Sequence, residues 1–232
     1  MRFFESGKKI IGVLFVLAIA QVIIGWETVG LLAVIGRRGM RLPKINLRPA
    51  ERRDSEQIAA IYAPIVRDTF ISFEIEPPSA EIMVGRIESV QRQHPWLVAT
   101  AEDEVLGYAY ASEHRQRAAY RWSVDVTAYV AEAARGRGVG RRLYGGLIPM
   151  LRAQGFRGAF AGIALPNDAS VGLHEAVGFR ALGIYKDVGF KLGAWRDVGW
   201  WRLGLSNDDT LPPEPTSFQQ LREAPDFGAF LA

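Results

Sequence analysis

The stretch that decides the fold is Arg135-Gly136-Arg137-Gly138-Val139-Gly140, which lies between a strand-like segment, Trp122 to Val130, and a helix-like segment, Arg141 to Ala153. Three glycines at alternate positions let backbone N–H groups converge without side chains in the way. The following helix directs its free N–H groups and the positive end of its dipole at the same point. Four arginines add positive charge there: Arg135, Arg137, Arg141 and Arg142. The stretch predicts a pyrophosphate site, and the alternative is a glycine-rich turn with solvated arginines.

Two common nucleotide motifs do not fit this stretch. The third glycine comes one residue too early for Gly-x-Gly-x-x-Gly, and no Gly-Lys-Ser/Thr follows as it does in a P-loop. The pattern present is Arg-x-x-Gly-x-Gly, formed by Arg135, Gly138 and Gly140. It resembles the acetyl-CoA signature of the GNAT superfamily of N-acetyltransferases.

A second block, Leu165 to Phe179, supports the same resemblance. Asn167 or Asp168 is a suitable N-cap for a helix that ends at Gly178, and the preceding residues, Gly158 to Ala164, read as a short buried strand. The block resembles the Asn-containing helix that lies beside the pantetheine arm in GNAT enzymes. The resemblance implies that Asn167 and Ala176 contact the cofactor.

Finer motifs narrow the family. They resemble the phosphinothricin and methionine-sulfoximine acetyltransferases, and they resemble the arsinothricin-resistance acetyltransferases equally well. The resemblance covers about Asn46 to Leu205. The motifs are Ile61 to Pro64 with Thr69 to Phe73, Pro95 to Val98, Ala119 to Trp122, and Gly189 to Val198.

Composition excludes several classes of protein. A chain of 232 residues with 49% apolar content suits one domain plus ends. Its net charge of +3 is small and its arginines are scattered, so nucleic-acid binding is not expected. The absence of cysteine excludes disulfides, thiolate metal sites and an acyl-cysteine intermediate. With three histidines spread along the chain, no metal site is expected: His94, His114 and His174.

The pattern of elements from Asn46 is strand, helix, helix, three strands, helix, strand, helix and two strands. Helices alternating with strands predict an α/β fold with a mixed sheet covered on both faces. In agreement with the GNAT resemblance, we expect about seven strands flanked by about four helices, within a catalytic domain that spans residues 40–205.

The two ends differ from this domain. Residues 1–39 form a hydrophobic extension, whose apolar run from Ile10 to Trp26 is borderline for a membrane span of ~20 residues. Ala18-Ile19-Ala20 also resembles a signal-peptide cleavage site, but export conflicts with a need for cytosolic acetyl-CoA. The favoured interpretation is that translation begins at Met40 and the protein is cytoplasmic. The alternative is an inner-membrane anchor with a cytosolic catalytic domain, and only then would the protein contact a membrane.

The other end, residues 206–232, is rich in proline and polar groups, and it predicts a flexible tail. Three phenylalanines in this tail leave docking onto the domain open: Phe218, Phe227 and Phe230.

Asp125 is the first catalytic candidate. Alternation along Trp122 to Val130 puts Val124, Val126, Ala128 and Val130 on one face and Asp125 on the other. The GNAT resemblance implies a carboxylate, usually Glu, at this place. It would take a proton from the amine, through ordered water because Asp is short and its ordinary pKa is only ~3.9. The alternative is a structural Asp paired with Arg121 or another arginine.

His174 is the second candidate. Many GNAT enzymes have a tyrosine at the matching place, where it donates a proton to the departing thiolate, whereas this chain has His174 as its closer relatives do. Imidazole can donate that proton near neutral pH. The alternative is a structural helical histidine.

The resemblance also implies the residues that bind the two substrates. The backbone of Ala128, Tyr129 and Val130 would pair with the pantetheine amides, in addition to Arg135, Gly136, Arg137, Gly138, Val139, Gly140, Arg141, Asn167 and Ala176 at the rest of the cofactor. Aromatic and cationic side chains would bind the acceptor, and the resemblance implies that the last two lie at a dimer interface: Phe70, Phe73, Tyr120, Arg121, Lys191 and Trp195. The alternative places the phenylalanines in the core and the cations on the surface.

These features together predict an acetyl-CoA-dependent N-acetyltransferase without a metal. Its expected acceptor is a small glutamate-like amino acid: phosphinothricin, methionine sulfoximine or sulfone, or arsinothricin. The amine would attack directly in a ternary complex, and the protein is expected to be a homodimer that does not bind nucleic acid. The alternatives are a GNAT enzyme acting on a polyamine or a protein amine, and a non-catalytic CoA-binding module.

Overall fold

A seven-stranded mixed sheet organises the part of the chain that the computed structural model describes, residues 44–206, 210 and 212–232. The hydrophobic extension predicted for residues 1–39 lies outside the described residues. The strand order is β1-β2-β3-β4-β5-β7-β6, and only the β4–β5 pair is parallel. The strands are β1 (Asn46–Pro49), β2 (Trp96–Ala101), β3 (Glu104–Glu113), β4 (Ser123–Val130), β5 (Gly158–Leu165), β6 (Arg180–Lys191) and β7 (Ala194–Gly204).

The helices are α1 (Ser55–Asp68), α2 (Ala80–Val90), α3 (Val139–Ala153), α4 (Asp168–Ala176) and α5 (Phe218–Arg222). Asn167, rather than Asp168, caps α4, since its side chain accepts a hydrogen bond from the N–H of Ser170. The predicted α/β class and the order of elements up to β7 are confirmed. None of the helices within the described ranges has the length and hydropathy needed to cross a membrane.

The alternation along β4 separates two hydrophobic cores. Val124 and Val126 are buried in the core under α3, which fills one face of the sheet. On the opposite face α1 and α2 cover β2 and β3, where Trp96 and Tyr108 are buried. Asp125 faces this second side, because successive side chains of a strand point to opposite faces. The sheet therefore has α3 on one face, and it has α1, α2 and the side chain of Asp125 on the other.

The C-terminal segment differs from the predicted flexible tail. Phe218 in α5 is fully buried, and its N–H donates to the carbonyl of Gln93 at 3.0 Å. The side-chain amide of Gln154 donates to the carbonyl of Thr216 at 2.8 Å. Composition suggested a loose segment because proline and polar residues dominate it. Phe218 and Leu221 are buried in the core and Phe227, Phe230 and Leu231 pack against it, so apolar burial holds the segment on the domain.

Candidate active site

A cleft opens where β4 and β5 separate. The two strands pair only over Ser123–Asp125 and Gly158–Phe160. Beyond Asp125, β4 continues to pair with β3 while β5 continues to pair with β7. A cavity of about 600 Å³ occupies the gap, and the three residues predicted to pair with a pantetheine arm line it: Ala128, Tyr129 and Val130. The open strand edge offers backbone groups that an extended ligand can satisfy.

The glycine-rich stretch forms one end of this cavity. Gly138 is the N-cap of α3 with φ of 82°, and Gly136 has φ of 72°. Both values lie in the left-handed region that favours glycine. An added Cβ at either position would meet no atom within 4 Å, so the space in front of both glycines is open. Six predicted residues of the stretch line the cavity: Arg135, Gly136, Gly138, Val139, Gly140 and Arg141.

Two arginines of the stretch lie elsewhere. The guanidinium of Arg137 is near the carbonyl of Ala133, at 3.5 Å, and Arg137 does not line the cavity. The guanidinium of Arg142 donates to the carbonyls of Leu231 and Ala232 in the C-terminal segment. The predicted positive charge is therefore concentrated on Arg135 and Arg141.

Helix α4 forms the other wall, and Asn167 and Ala176, which are expected to contact the cofactor, line the cavity. Gly140 has a second role here, because an added Cβ would lie 2.7 Å from a methyl carbon of Leu173. Contacts this short do not occur between real side-chain carbons, so the glycine permits the close approach of α3 and α4. The sequence alone predicts only the cofactor role of Gly140.

His174 lines the cavity, but its ring is buried and held by the protein. Nδ1 donates to the carbonyl of Ser170 at 2.7 Å, and the hydroxyl of Tyr144 donates to Nε2 at 2.8 Å. Burial lowers the pKa of His174, so the ring is neutral. The single N–H proton of the neutral ring is already used in the hydrogen bond to Ser170, so His174 has no proton free for a thiolate. The arrangement therefore favours the structural alternative, and Tyr144 was not singled out from the sequence.

Asp125 is partnered by a residue that the sequence analysis did not select. Its Oδ1 lies 2.6 Å from Nδ1 of His114, which follows the end of β3. The pairing of Ser112 with Asp125 in the β3–β4 register brings the histidine there. Burial raises the pKa of Asp125, and the hydrogen bond and charge of His114 oppose this shift. The predicted alternative, an Asp125–Arg121 pair, does not form.

An aromatic chamber lies beside this pair. The ring of His114 stacks on Phe160 with centroids 4.4 Å apart, and the rings of Tyr120 and Trp200 approach it edge-on at 6.0 and 6.1 Å. A small cavity of about 210 Å³ is lined by four aromatic or imidazole rings and by Arg115, among other residues: His114, Phe160, Tyr185 and Trp200. Tyr120 is thus the predicted acceptor residue that the fold brings closest to the His114–Asp125 pair.

Lys191 has a different place from the one predicted. It is 6% exposed, and its ammonium donates to the carbonyls of Val66, Ser72 and Glu74. These three bonds use all the N–H groups of a lysine. Lys191 therefore ties the loop between α1 and α2 to the end of β6, and it does not present a charge to an acceptor.

The other predicted acceptor residues are dispersed. Phe70 lies under the guanidinium of Arg196 at 4.2 Å, and Phe73 packs against Gly189. Arg121 pairs with Glu214 at 3.0 Å and lies over the Trp122 ring, away from Asp125. Trp195 is 61% exposed. None of these four residues lines the cavity beside His114. Within the described ranges, no group of three or more His, Cys, Asp or Glu side chains could hold a metal ion.

Comparison with known proteins agrees with this geometry. A sequence family described as acetyltransferase (GNAT) domain matches residues 47–200. A phosphinothricin N-acetyltransferase from Streptomyces viridochromogenes is 38% identical over 171 residues, which cover 74% of this chain and 91% of that protein. An L-methionine sulfoximine/L-methionine sulfone acetyltransferase from Pseudomonas paraeruginosa is 35% identical over 169 residues, covering 72% and 98% of the two chains.

A solved structure shows the same fold. The phosphinothricin acetyltransferase from Sinorhizobium meliloti, crystallised in complex with acetyl-CoA, superposes with a TM-score of 0.70. The two chains are 36% identical, and the match covers 73% of this chain and 94% of the other.

Proposed function

Because the chain belongs to the GNAT acetyltransferase family, we propose that it acetylates the amino group of a small glutamate-like amino acid. It is an acetyl-CoA-dependent N-acetyltransferase of the phosphinothricin acetyltransferase type. The proposed acceptors are phosphinothricin, methionine sulfoximine or sulfone, and arsinothricin. The observation that carries the proposal is the position of Asp125, at the point where the cleft between β4 and β5 begins. The cytosol is the proposed location, since acetyl-CoA is available there.

The residues present fit acetyl-CoA. The free N–H groups at the start of α3, behind the open space at Gly136 and Gly138, suit a pyrophosphate, and Arg135 and Arg141 supply charge. The open edge of β4 from Ala128 to Val130 suits an extended arm with amide groups. When bound, acetyl-CoA supplies the acetyl thioester. A backbone N–H of this edge would polarise the thioester carbonyl.

The proposed reaction is direct attack by the amine in a ternary complex. An amino acid carries its amine mostly as an ammonium at neutral pH, and the ammonium must lose a proton before its nitrogen can attack. We place the removal of this proton at Asp125 and its hydrogen-bond partner His114, where the cleft begins. The chain contains no cysteine for a covalent acyl-cysteine intermediate, which supports direct transfer.

The chamber beside Asp125 supports a small anionic acceptor. Its volume of about 210 Å³ suits a free amino acid and is small for a residue that belongs to a protein chain. The guanidinium of Arg115 lies 5.6 Å from the Trp200 ring, at the lining of the chamber. It would bind a carboxylate or phosphinate, the role that the sequence analysis gave to Arg121. A polyamine would instead place a second cation beside Arg115, which is unfavourable.

A homodimer is part of the proposal. Along β6, five large apolar side chains are at least 50% exposed: Leu182, Ile184, Tyr185, Val188 and Phe190. β6 is an edge strand of the sheet, and exposed apolar side chains concentrated there mark an interaction site. Tyr185 belongs both to this surface and to the acceptor chamber. A second copy covering β6 would therefore also close the chamber.

Thiol release from acetyl-CoA tests the acceptor. Purified protein is assayed with phosphinothricin, methionine sulfoximine, methionine sulfone, arsinothricin, glutamate and spermidine, and the expected kcat/KM is highest for one of the first four. Faster turnover of spermidine would replace this proposal with a polyamine acetyltransferase. Acetyl-CoA binding without turnover of any amine would indicate a non-catalytic module.

A further inference from the structure

The hydrogen bond between His114 and Asp125 indicates which group accepts the proton, a detail that the family resemblance does not give. We propose that Nε2 of His114 takes the proton from the acceptor's ammonium group, while Asp125 holds the imidazole ring in position. The inference rests on the proposed N-acetyltransferase function and deepens it. It makes His114 a catalytic residue and Asp125 a positioning residue.

The hydrogen bond determines which ring nitrogen is available. An ionised carboxylate can only accept hydrogen bonds, so Nδ1 of His114 carries the proton that it donates to Oδ1 of Asp125 at 2.6 Å. In the neutral ring, Nε2 then keeps its lone pair. Among the described residues, the hydrogen bond of the His114 ring is the one made by Nδ1. His174 provides the contrast, because both of its ring nitrogens are already bonded.

The ring is rigidly held at the acceptor chamber. Phe160 stacks on its face with an angle of 18° between the planes, and Tyr120 and Trp200 contact it edge-on at 70° and 85°. The side chain of His114 remains 13% exposed and lines the chamber of about 210 Å³. A ring fixed on three sides with one open nitrogen has the preorganisation that a general base requires.

Imidazole is also the better base of the two groups. In model peptides imidazole has a pKa of ~6.5, whereas an aspartic carboxyl group has ~3.9, against ~8 for an α-amino group. Between unperturbed groups, transfer to imidazole is therefore less uphill, and burial narrows the difference by raising the pKa of Asp125. The carboxylate of Asp125 would stabilise the imidazolium that forms. Other charged or titratable groups near the pair are Arg115, Tyr110, Tyr120 and Tyr185.

The ammonium gives one proton to Nε2 of His114, and the freed nitrogen attacks the thioester carbonyl to form the C–N bond. As the C–S bond breaks, the electron pair leaves with sulfur, and the second proton lost by nitrogen goes to the thiolate. The imidazolium then releases its proton to solvent. The products are the N-acetylated amine, the free thiol and one proton.

The first test uses His114→Phe, which keeps the stacking on Phe160 but removes both ring nitrogens. We expect kcat to fall by about 10²–10⁴-fold, the usual loss for a general base, with acetyl-CoA Kd unchanged. His94→Phe, a matched change outside the site, should leave kcat unchanged. A kcat for His114→Phe within threefold of the parent would overturn the proposal.

Two further measurements separate this role from a structural one. His114→Ala should be partly rescued by added imidazole, because a free base can enter the space left by the ring. The ¹⁵N shifts of His114 in the parent protein should show the tautomer with the proton on Nδ1, and Asp125→Asn should disturb it. No imidazole rescue, or a proton on Nε2 in the parent, would reject His114 as the base.

A wrong assignment of the acceptor can be distinguished from a wrong assignment of the base. If glutamate-like amino acids are not acetylated but another amine is, the kinetics of the His114 variants are measured with that amine. The ¹⁵N measurement needs no acceptor at all.

Discussion

Asp125 and Phe160 form the last register pair between β4 and β5. The same two residues hold His114, one through the 2.6 Å hydrogen bond to Nδ1 and the other through ring stacking at 4.4 Å. The point where the strands separate is therefore also the point where the imidazole ring is fixed. This shared position places the acceptor chamber next to the cleft that suits the thioester.

Replacing Gly138 by Val should weaken acetyl-CoA binding sharply. The N-cap of α3 would need a β-branched residue at φ of 82°, and its side chain would enter the open space before the helix. Gly145→Ala in the same helix is the control. Gly145 is exposed with no atom near an added Cβ, so this change should stabilise the protein by about 0.4–1 kcal/mol. Calorimetric titration measures both, and an unchanged Kd for folded Gly138→Val contradicts the phosphate site.

Asp125→Asn should lower kcat by about 10²–10⁴-fold with saturating acetyl-CoA, because the general base loses its carboxylate partner. Cofactor affinity should change little, since Asp125 does not line the cofactor cavity. Raising the pH should partly rescue the variant, because more of the amine then arrives deprotonated. Lower folding stability without pH rescue would make Asp125 a structural ion-pair residue.

Lys191→Met should destabilise the fold. Three carbonyls lose their donor, and leaving a buried acceptor unpaired costs roughly 1–3 kcal/mol. The loop that carries Ser72 and Glu74 loses its tie to the end of β6, while Lys191 does not line the cofactor cavity, so acetyl-CoA Kd of the folded variant should stay constant. Lys186→Met is the control, because Lys186 is exposed and bridges only Asp197. Equal unfolding midpoints in urea for the two variants would contradict this role.

The stability of the domain should fall below neutral pH, in part through His94. Burial lowers the pKa of His94 to about 4, whereas an ordinary histidine has ~6.5. Between these pH values the unfolded chain binds a proton at His94 more readily than the folded chain does. The contribution of the neutral ring to folding stability is therefore fully present above pH ~6.5 and is lost as the pH falls towards 4. The full difference corresponds to at most roughly 3 kcal/mol.

His94→Phe should remove this part of the acid sensitivity. The ring contact with Phe156 is retained, and the unpaired buried Nδ1 disappears. Urea unfolding at pH 5 and pH 8 measures the effect. The same loss of stability in parent and variant would show that His94 does not contribute.

Ile184→Glu should convert the proposed homodimer to a monomer. The side chain is 51% exposed on the apolar surface of β6, and a charge buried in an interface is costly. Ile82→Glu is the control, since Ile82 is 53% exposed on α2 away from that surface. Sedimentation velocity should show a smaller particle for the first variant only. A monomeric parent protein would reject the dimer.

The features that the sequence determined are those set by local chemistry. The three glycines and the following helix predict the anion-binding end of the cleft because backbone freedom and helix polarity act within a few residues. Alternation along β4 places Asp125 opposite the core for the same reason. Asn167 is recognisable as a cap because its side chain reaches only three residues ahead. The order of helices and strands follows from the same local periodicities.

The partners of the functional groups were decided only by the tertiary structure. His114 meets Asp125 because of the β3–β4 register, and one residue of slip would turn one of them to the opposite face. Lys191 looks like a free cation in sequence, yet the fold surrounds it with carbonyls more than 100 positions away. The hydroxyl of Tyr144 reaches Nε2 of His174 only because α3 and α4 pack together. Such contacts depend on the register and packing of distant segments, which no local pattern encodes.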